Sequence, residues 1–261
     1  MTNRDAATPI CNLVADAYRK ASGADFGFTV SGMVRSGLIK GISGVQTVTD
    51  VFGLDPLGNG VLDQTAGAGL VVGYITGHEL KNLFEYFIVD NPVHPGEYWA
   101  RPSGFRFYYD RNRPKFDQVV KVEVGDIRNG YTEIDISGKE ERLYGIATNR
   151  YLALYLTGIS EFREGPLKIV FKNKSGNPIS TSAEALVSSR SSSPYIGHLG
   201  GTTDPSSIVS DSGESGFKEI KTWQAVMDYI SFIPVKDENG ITVLKKDSAA
   251  TEVRGIDITE K

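Results

Sequence analysis

The chain has 261 residues, of which 40% are hydrophobic, 10% aromatic and 23% charged, enough for one large domain or two small ones with a core that needs no disulfides. Its 28 Lys and Arg against 32 Asp and Glu give a net charge of −4, without the basic excess of a protein held to nucleic acid through phosphates. No apolar run reaches the roughly 20 residues that span a bilayer, and the single cysteine, Cys11, excludes an intrachain disulfide and a thiolate zinc site.

Met1–Asp5 is polar and carries no secretory pattern. Thr8-Pro9 then supplies a cap and a first-turn proline, and Ile10, Leu13, Val14 and Ala17 follow at helical spacing. These predict a helix from Ile10 to Ala21, stopped by Ser22-Gly23, with Cys11 a buried thiol on its apolar start. Asp25–Val30 alternates as a strand and leads into the glycine-bounded loop Ser31–Gly37. Gln46–Phe52 fits either a short strand or a helix before the turn Asp55–Gly60. Leu70–Ile75 is a β-branched strand, and Thr76 caps a helix from Gly77 to about Val89 with Leu80, Leu83, Phe84, Phe87 and Ile88 on one face. Two prolines make Asn91–Gly96 a loop.

Phe105–Asp110, Val119–Val124, Tyr131–Ile136 and Leu143–Thr148 read as an antiparallel set, turning at Asn112–Pro114 and Ser137-Gly138. Leu167–Phe171 is one more candidate strand. Ser180–Ser193 holds eight Ser or Thr in fourteen residues, and Asp204–Gly216 is similarly polar, which favours loop over core. Ala183–Val187 and Pro194–Leu199 are short ordered interruptions. Lys218–Phe232 carries a helical stripe of Ile220, Trp223, Val226, Met227 and Ile230. A hairpin over Phe232–Lys245 and a strand near Val253–Ile258 close the chain. The expected class is α+β: helices packed on a mixed, largely antiparallel sheet, as a single domain over 1–261 with a Ser/Gly-rich insertion at about 174–216.

The three histidines, His78, His94 and His198, show no HxxxH, HxH or DxH spacing, so no metal site is assigned to this chain. Gly67–Gly73 precedes a β-branched run instead of opening a helix, which makes it a turn and not a dinucleotide loop. GxSxG, P-loop and HExxH motifs are absent, and no catalytic residue is assigned. The aromatics say more. Tyr98-Trp99 stands before the Phe105 strand, and Tyr151 follows the strand ending at Asn149. Rings on two neighbouring loops can clamp a planar base; the other reading is that they are core. Arg35, between Gly32 and Gly37, is either an anion anchor or a loop-fixing salt bridge.

The segments Asn12–Ala17, Gly23–Phe26, Ser31–Arg35, Pro56–Asn59, Thr76–Leu80, Pro102–Phe107 with Tyr109-Asp110, and Tyr144–Asn149 occur in that order. This succession over residues 8–162, resuming at 218–233, resembles the C-terminal domain of the 5′-nucleotidase and UDP-sugar hydrolase family. The resemblance implies a substrate-binding domain for a nucleotide or nucleoside, belonging to a metal-dependent phosphoric monoester hydrolase. The catalytic metallophosphoesterase domain and its divalent metal ions would lie outside this chain, which by itself carries no cofactor. It also implies an N-terminal partner domain in a parent protein exported to the periplasm or cell surface, with no nucleic acid partner and no membrane span. By resemblance, Arg35 matches the arginine of a Gly-Gly-x-Arg loop and Asn59 the asparagine of a Pro-Phe-Gly-Asn turn in which Leu57 replaces Phe. Trp99, with Tyr98 in reserve, takes the first base-stacking position, and Tyr151, after Asn149, takes the second. Thr157 stands for the aspartate of a Gly-Gly-Asp-Gly stretch that here reads Tyr155-Leu156-Thr157-Gly158. That replacement motivates the alternative: a non-catalytic surface interaction module that keeps the fold and has lost nucleotide binding.

Overall fold

Proline, an apolar stripe and two basic residues in the last turn give helix α1 (Pro9–Ser22), matching the expected span. Ser22 closes it: its hydroxyl donates to Tyr18 O at 2.8 Å and accepts from Ala24 N at 3.1 Å. Strand β1 (Phe26–Val30) follows, buried at every position. The α1 backbone lies directly on it at Gly27, where a Cβ would stand 2.0 Å from Ala15 O, so only glycine permits that approach.

The structure, a computed structural model, describes residues 9–39, 42–61, 63–88, 98–179, 188–189, 218–231, 238 and 252–259. The expected loop at 91–96, the ordered stretches at 183–187 and 194–199, the insertion at about 174–216 apart from 174–179 and 188–189, and the hairpin at 232–245 apart from Glu238 lie outside these residues.

Two four-stranded mixed sheets carry the α+β fold. The first is ordered β2 (Leu70–Thr76), β7 (Leu143–Asn149), β1, β3 (Ala100–Ser103). Its pairs are antiparallel except β1 and β7, which run parallel. The second is ordered β10 (Gly255–Asp257), β4 (Phe105–Tyr109), β5 (Val119–Asp126), β6 (Gly130–Glu133), with β10 parallel to β4 and the rest antiparallel. Only Gly104 separates β3 from β4, so the chain passes from one sheet to the other there. A two-residue ladder joins β8 (Ser188–Ser189) to β9 (Lys218–Glu219).

Thr76 caps α3 (Gly77–Ile88) as expected: Glu79 N donates to its hydroxyl at 3.2 Å, and Thr76 N donates to the Glu79 carboxylate at 2.8 Å. Helix α3 lies between the sheets, burying Leu80, Leu83, Phe84 and Phe87 against Phe26 and Phe28 of the first and Phe105 and Phe107 of the second. On the other face of the first sheet, Leu70, Val72 and Ala147 pack under α1 and α6 (Thr222–Ser231). Alternation along β2 divides Leu70 and Val72 from Ile75 between these two cores.

Several expectations change. The four central strands are not one antiparallel set: β7 leaves the others and enters the first sheet beside β1. Gln46–Phe52 resolves to helix α2 (Val48–Phe52), because Thr47 and Asp50 form a capping box. Leu167–Phe171 is no strand. Ile169 N is taken by Phe162 O and Val170 N by the Glu79 carboxylate, and the pairing that follows is limited to isolated bridges from Lys172 to Tyr74 and to Pro178. Arg150–Gly158 forms an unexpected helix, α4, followed by α5 (Ser160–Arg163).

Strand β6 ends early because Asp135 gathers the next turn. Its carboxylate accepts from the Ser137 hydroxyl at 2.6 Å and from the amides of Ser137, Lys139 and Glu140 at 2.9–3.0 Å. These bonds, led by the Ser137 hydroxyl, hold its pKa at about 2. A carboxyl depressed in the folded state stabilises above its unfolded pKa of about 3.9 and loses that stabilisation as pH falls toward the folded value. Acid unfolding followed between about pH 4 and 2 should therefore be shallower in Asp135→Asn; an unchanged slope would refute this linkage.

Candidate functional site

Register places the ends of β1 and β7 and the starts of β2 and β3 at one edge of the first sheet: Leu70 pairs with Asn149, and Ala100 with Val30. Asn149 ends β7 and caps α4, its Oδ1 accepting from Tyr151 N at 2.7 Å. Tyr151, on the first helical turn, is 51% exposed. Facing it is the turn Pro56–Asn59. Gly58 holds a φ of 78°, and a Cβ there would lie 3.1 Å from Ala68 Cβ and 3.7 Å from Tyr151 Cβ. The same turn carries the exposed Asn59, whose backbone bridges Ala66. Arg35 reaches this edge through its own amide, which donates to Leu54 O at 2.9 Å; its exposed side chain donates to Gly32 O at 3.1 Å.

Two sequence-predicted residues sit elsewhere than expected. Trp99 is 4% exposed, edge-on to Tyr109 at 5.7 Å in the main core, so it offers no open face to a base. Trp99 lies just ahead of β3 and is drawn, together with Ala100, into the core that α3 fills, while the preceding Tyr98 stays half-buried against the rim of that core. Asn149 is fully buried and supports the site from below instead of lining it. Thr157 is exposed on α4, its hydroxyl donating to Leu154 O at 2.9 Å.

Helix α4 adds a residue that the sequence reading passed over. Tyr155, 41% exposed, stacks nearly parallel on Tyr98, centroids 6.1 Å apart and planes 13° apart. It follows Tyr151 by four residues, so both rings rise from one helical face. The signal was present: Leu152 and Leu156, both buried, mark the adjacent inward face.

Beneath the edge, Asp55 is fully buried and accepts from the Tyr18 hydroxyl and from Asn149 Nδ2 at 2.8 Å. Burial raises its pKa, against the lowering effect of bonds from Thr222, Tyr18 and Asn149. Burial, then the Asp55 charge, pushes Tyr18 well above the usual phenol range, so it stays neutral. No group of three His, Cys, Asp or Glu among the described residues is arranged to hold a metal ion. His78 Nδ1 bonds Ile136 O at 3.1 Å, and His94 and His198 lie outside the described residues. What this edge exposes is an aromatic ring, an amide and a guanidinium, from Tyr151, Asn59 and Arg35. A separate cleft of about 530 Å³ lies at the opposite edge, between Arg19, Lys20, Ser103, Asp126 and Arg128. Its floor is the buried Arg254, bonded to Asp16 at 2.8 Å and Pro102 O at 2.8 Å.

A sequence profile described as 5′-nucleotidase, C-terminal domain, matches residues 1–164. Among solved structures, the 5′-nucleotidase precursor of Thermus thermophilus superposes with a TM-score of 0.53 at 18% identity, covering 99% of this chain and 37% of that one. The NAD nucleotidase of Haemophilus influenzae gives 0.48 at 14% identity, covering 96% and 33%. The chain thus spans about a third of the length of these proteins. A search of curated protein sequences gives no match. No helix among the described residues is long and apolar enough to cross a membrane. The profile covers well over half of the chain and the first of these structures carries the same fold, so this chain belongs to the 5′-nucleotidase C-terminal domain family.

Proposed function

We propose that this chain is the nucleotide- or nucleoside-recognising part of a 5′-nucleotidase-type phosphoesterase, with the metal-dependent catalytic domain outside it. The observation that carries this reading is the half-exposed Tyr151, its Cβ beside Gly58 in the turn that carries Asn59, at the edge that also carries Arg35. Tyr151 supplies a face for the base, Arg35 a fork for ribose or phosphate oxygens, and Asn59 a donor and acceptor for polar edges. Tyr98 and Tyr155 form a second aromatic wall. Divalent metal ions would act in the catalytic domain, and the parent protein would work in the periplasm or at the cell surface.

Titration of the chain with adenosine, AMP, uridine and UDP-glucose by calorimetry tests this. A stacked base is worth about 1–3 kcal/mol, so Tyr151→Ala should weaken binding about 5- to 150-fold. The exposed ring should leave circular dichroism and the thermal midpoint nearly unchanged. A second reading, an interaction module without nucleotide binding, draws on Leu154, 45% exposed beside Tyr155. Failure of all four ligands to bind would favour it.

A further inference from the structure

Four buried side chains meet directly below Tyr151: Tyr18, Asp55, Asn149 and Thr222, from four separate parts of the chain. The Tyr18 hydroxyl donates to Asp55 Oδ2. Asn149 Nδ2 donates to Asp55 Oδ1 at 2.8 Å and to Thr222 Oγ1 at 3.3 Å. Asn149 Oδ1 faces the other way and takes the Tyr151 amide at 2.7 Å.

The two ends of an asparagine amide have nearly the same shape and opposite hydrogen-bonding character, so its partners decide which end points where. A carboxylate only accepts and therefore binds only the NH2 end. That leaves Oδ1 for the first turn of α4, whose free amides need an acceptor. With a donor in place of Asp55, the amide would gain by turning over, and its NH2 would then oppose the Tyr151 N–H. Asp55 also begins the turn that carries Gly58 and Asn59, so one buried residue touches both walls of the edge: one by chain connection, the other through Asn149.

We infer that Asp55 is a positioning residue: it fixes the polarity of the Asn149 cap and thereby holds Tyr151 against the Gly58–Asn59 turn. The consequence for ligand binding rests on the nucleoside reading above; the consequence for Tyr151 does not.

The test compares the wild-type chain with Asp55→Asn, the swap Asp55→Asn/Asn149→Asp, and Tyr18→Phe. In the swap, the amide introduced at position 55 would donate to the new carboxylate at position 149, which still accepts from Tyr151 N. The amide oxygen at position 55 still receives the Tyr18 hydroxyl. Hydrogen exchange of the Tyr151 amide by NMR is the primary readout, and affinity for adenosine and AMP the second. Asp55→Asn should exchange the Tyr151 amide roughly fivefold faster or more, the loss expected of a broken cap. The swap should restore protection. Tyr18→Phe should lower the melting temperature yet leave Tyr151 exchange as in the wild type. Equal exchange in Asp55→Asn and wild type, or exchange that follows melting temperature across all variants, overturns the inference. If Asp55→Asn does not fold, Asn149→Asp alone replaces it: two facing carboxylates should expose the amide, and the swap must protect it better. If the wild type binds no nucleoside, the proposed function falls, and Tyr151 exchange alone still decides the role of Asp55.

Discussion

Phe84→Ala should lower folding stability by about 3–5 kcal/mol, the range for emptying a fully buried aromatic site. Phe84 stands on α3 between the two sheets and has no exposed surface. Its ring stacks on Phe107 at 4.2 Å and meets Phe105 edge-on at 5.0 Å and Phe28 at 6.5 Å. Those neighbours belong to strands of different sheets, each fixed in its own ladder, so neither side can close on the cavity. Unfolding in urea gives the loss directly, and the melting temperature should fall by roughly 6–20 °C for a domain of this size. Phe84→Leu should recover most of the difference, since it refills the volume. A loss below about 1 kcal/mol for Phe84→Ala would show that the sheets do close over the gap.

Helices and strands that bury one face at a regular period were legible in the sequence. Helices α1 and α3 show it with Val14 and Ala17 and with Leu80, Leu83 and Phe84, and both begin within a residue or two of their expected starts. Pairing was not legible, because it depends on contacts far apart in the chain. Strand β7 looks like its antiparallel predecessors, yet joins β1 in parallel more than a hundred residues away. Strand β3, Ala-Arg-Pro-Ser, has no strand pattern. It is extended because the open edge of β1 pairs it, and Pro102 is tolerated because β3 is itself an edge. Helix α4 had a readable signature in the Asn149 cap and in Leu152 and Leu156, which resemblance to a glycine-rich stretch obscured.

The same limit applies to the candidate site. Its outer residues, Arg35, Asn59 and Tyr151, are found at one edge by segment order. Choosing between adjacent Tyr98 and Trp99 was a question of packing in a stretch just ahead of β3, where no period marks inside from outside. The larger Trp99 went to the core. The buried support was silent in the sequence: Asp55 finds Tyr18 and Asn149 at separations of 37 and 94 residues, with no local motif.

Lys221→Met should destabilise the chain by about 3–5 kcal/mol, the cost of removing one partner of a buried ion pair. Lys221 and Glu219 have side chains 3% and 1% exposed and bond each other directly, while Lys221 Nζ also reaches Asp63 at 2.6 Å. The second Glu219 oxygen accepts from Val61 N at 2.7 Å. A segment late in the chain thereby ties down the loop that begins at Asn59. The three charges should not count equally. Asp63 is half exposed, so Asp63→Asn loses a solvated pair worth at most about 1 kcal/mol. Lys221→Met leaves the Glu219 carboxylate buried without the ammonium beside it. The double variant Lys221→Met/Glu219→Leu should regain most of the loss by removing that charge, short of the roughly 1 kcal/mol that the Val61 bond contributes. Urea unfolding of the three variants separates the cases. If Lys221→Met costs no more than Asp63→Asn, water reaches Glu219, and the loop at Asn59 is held by its backbone bridge to Ala66 instead of by charge.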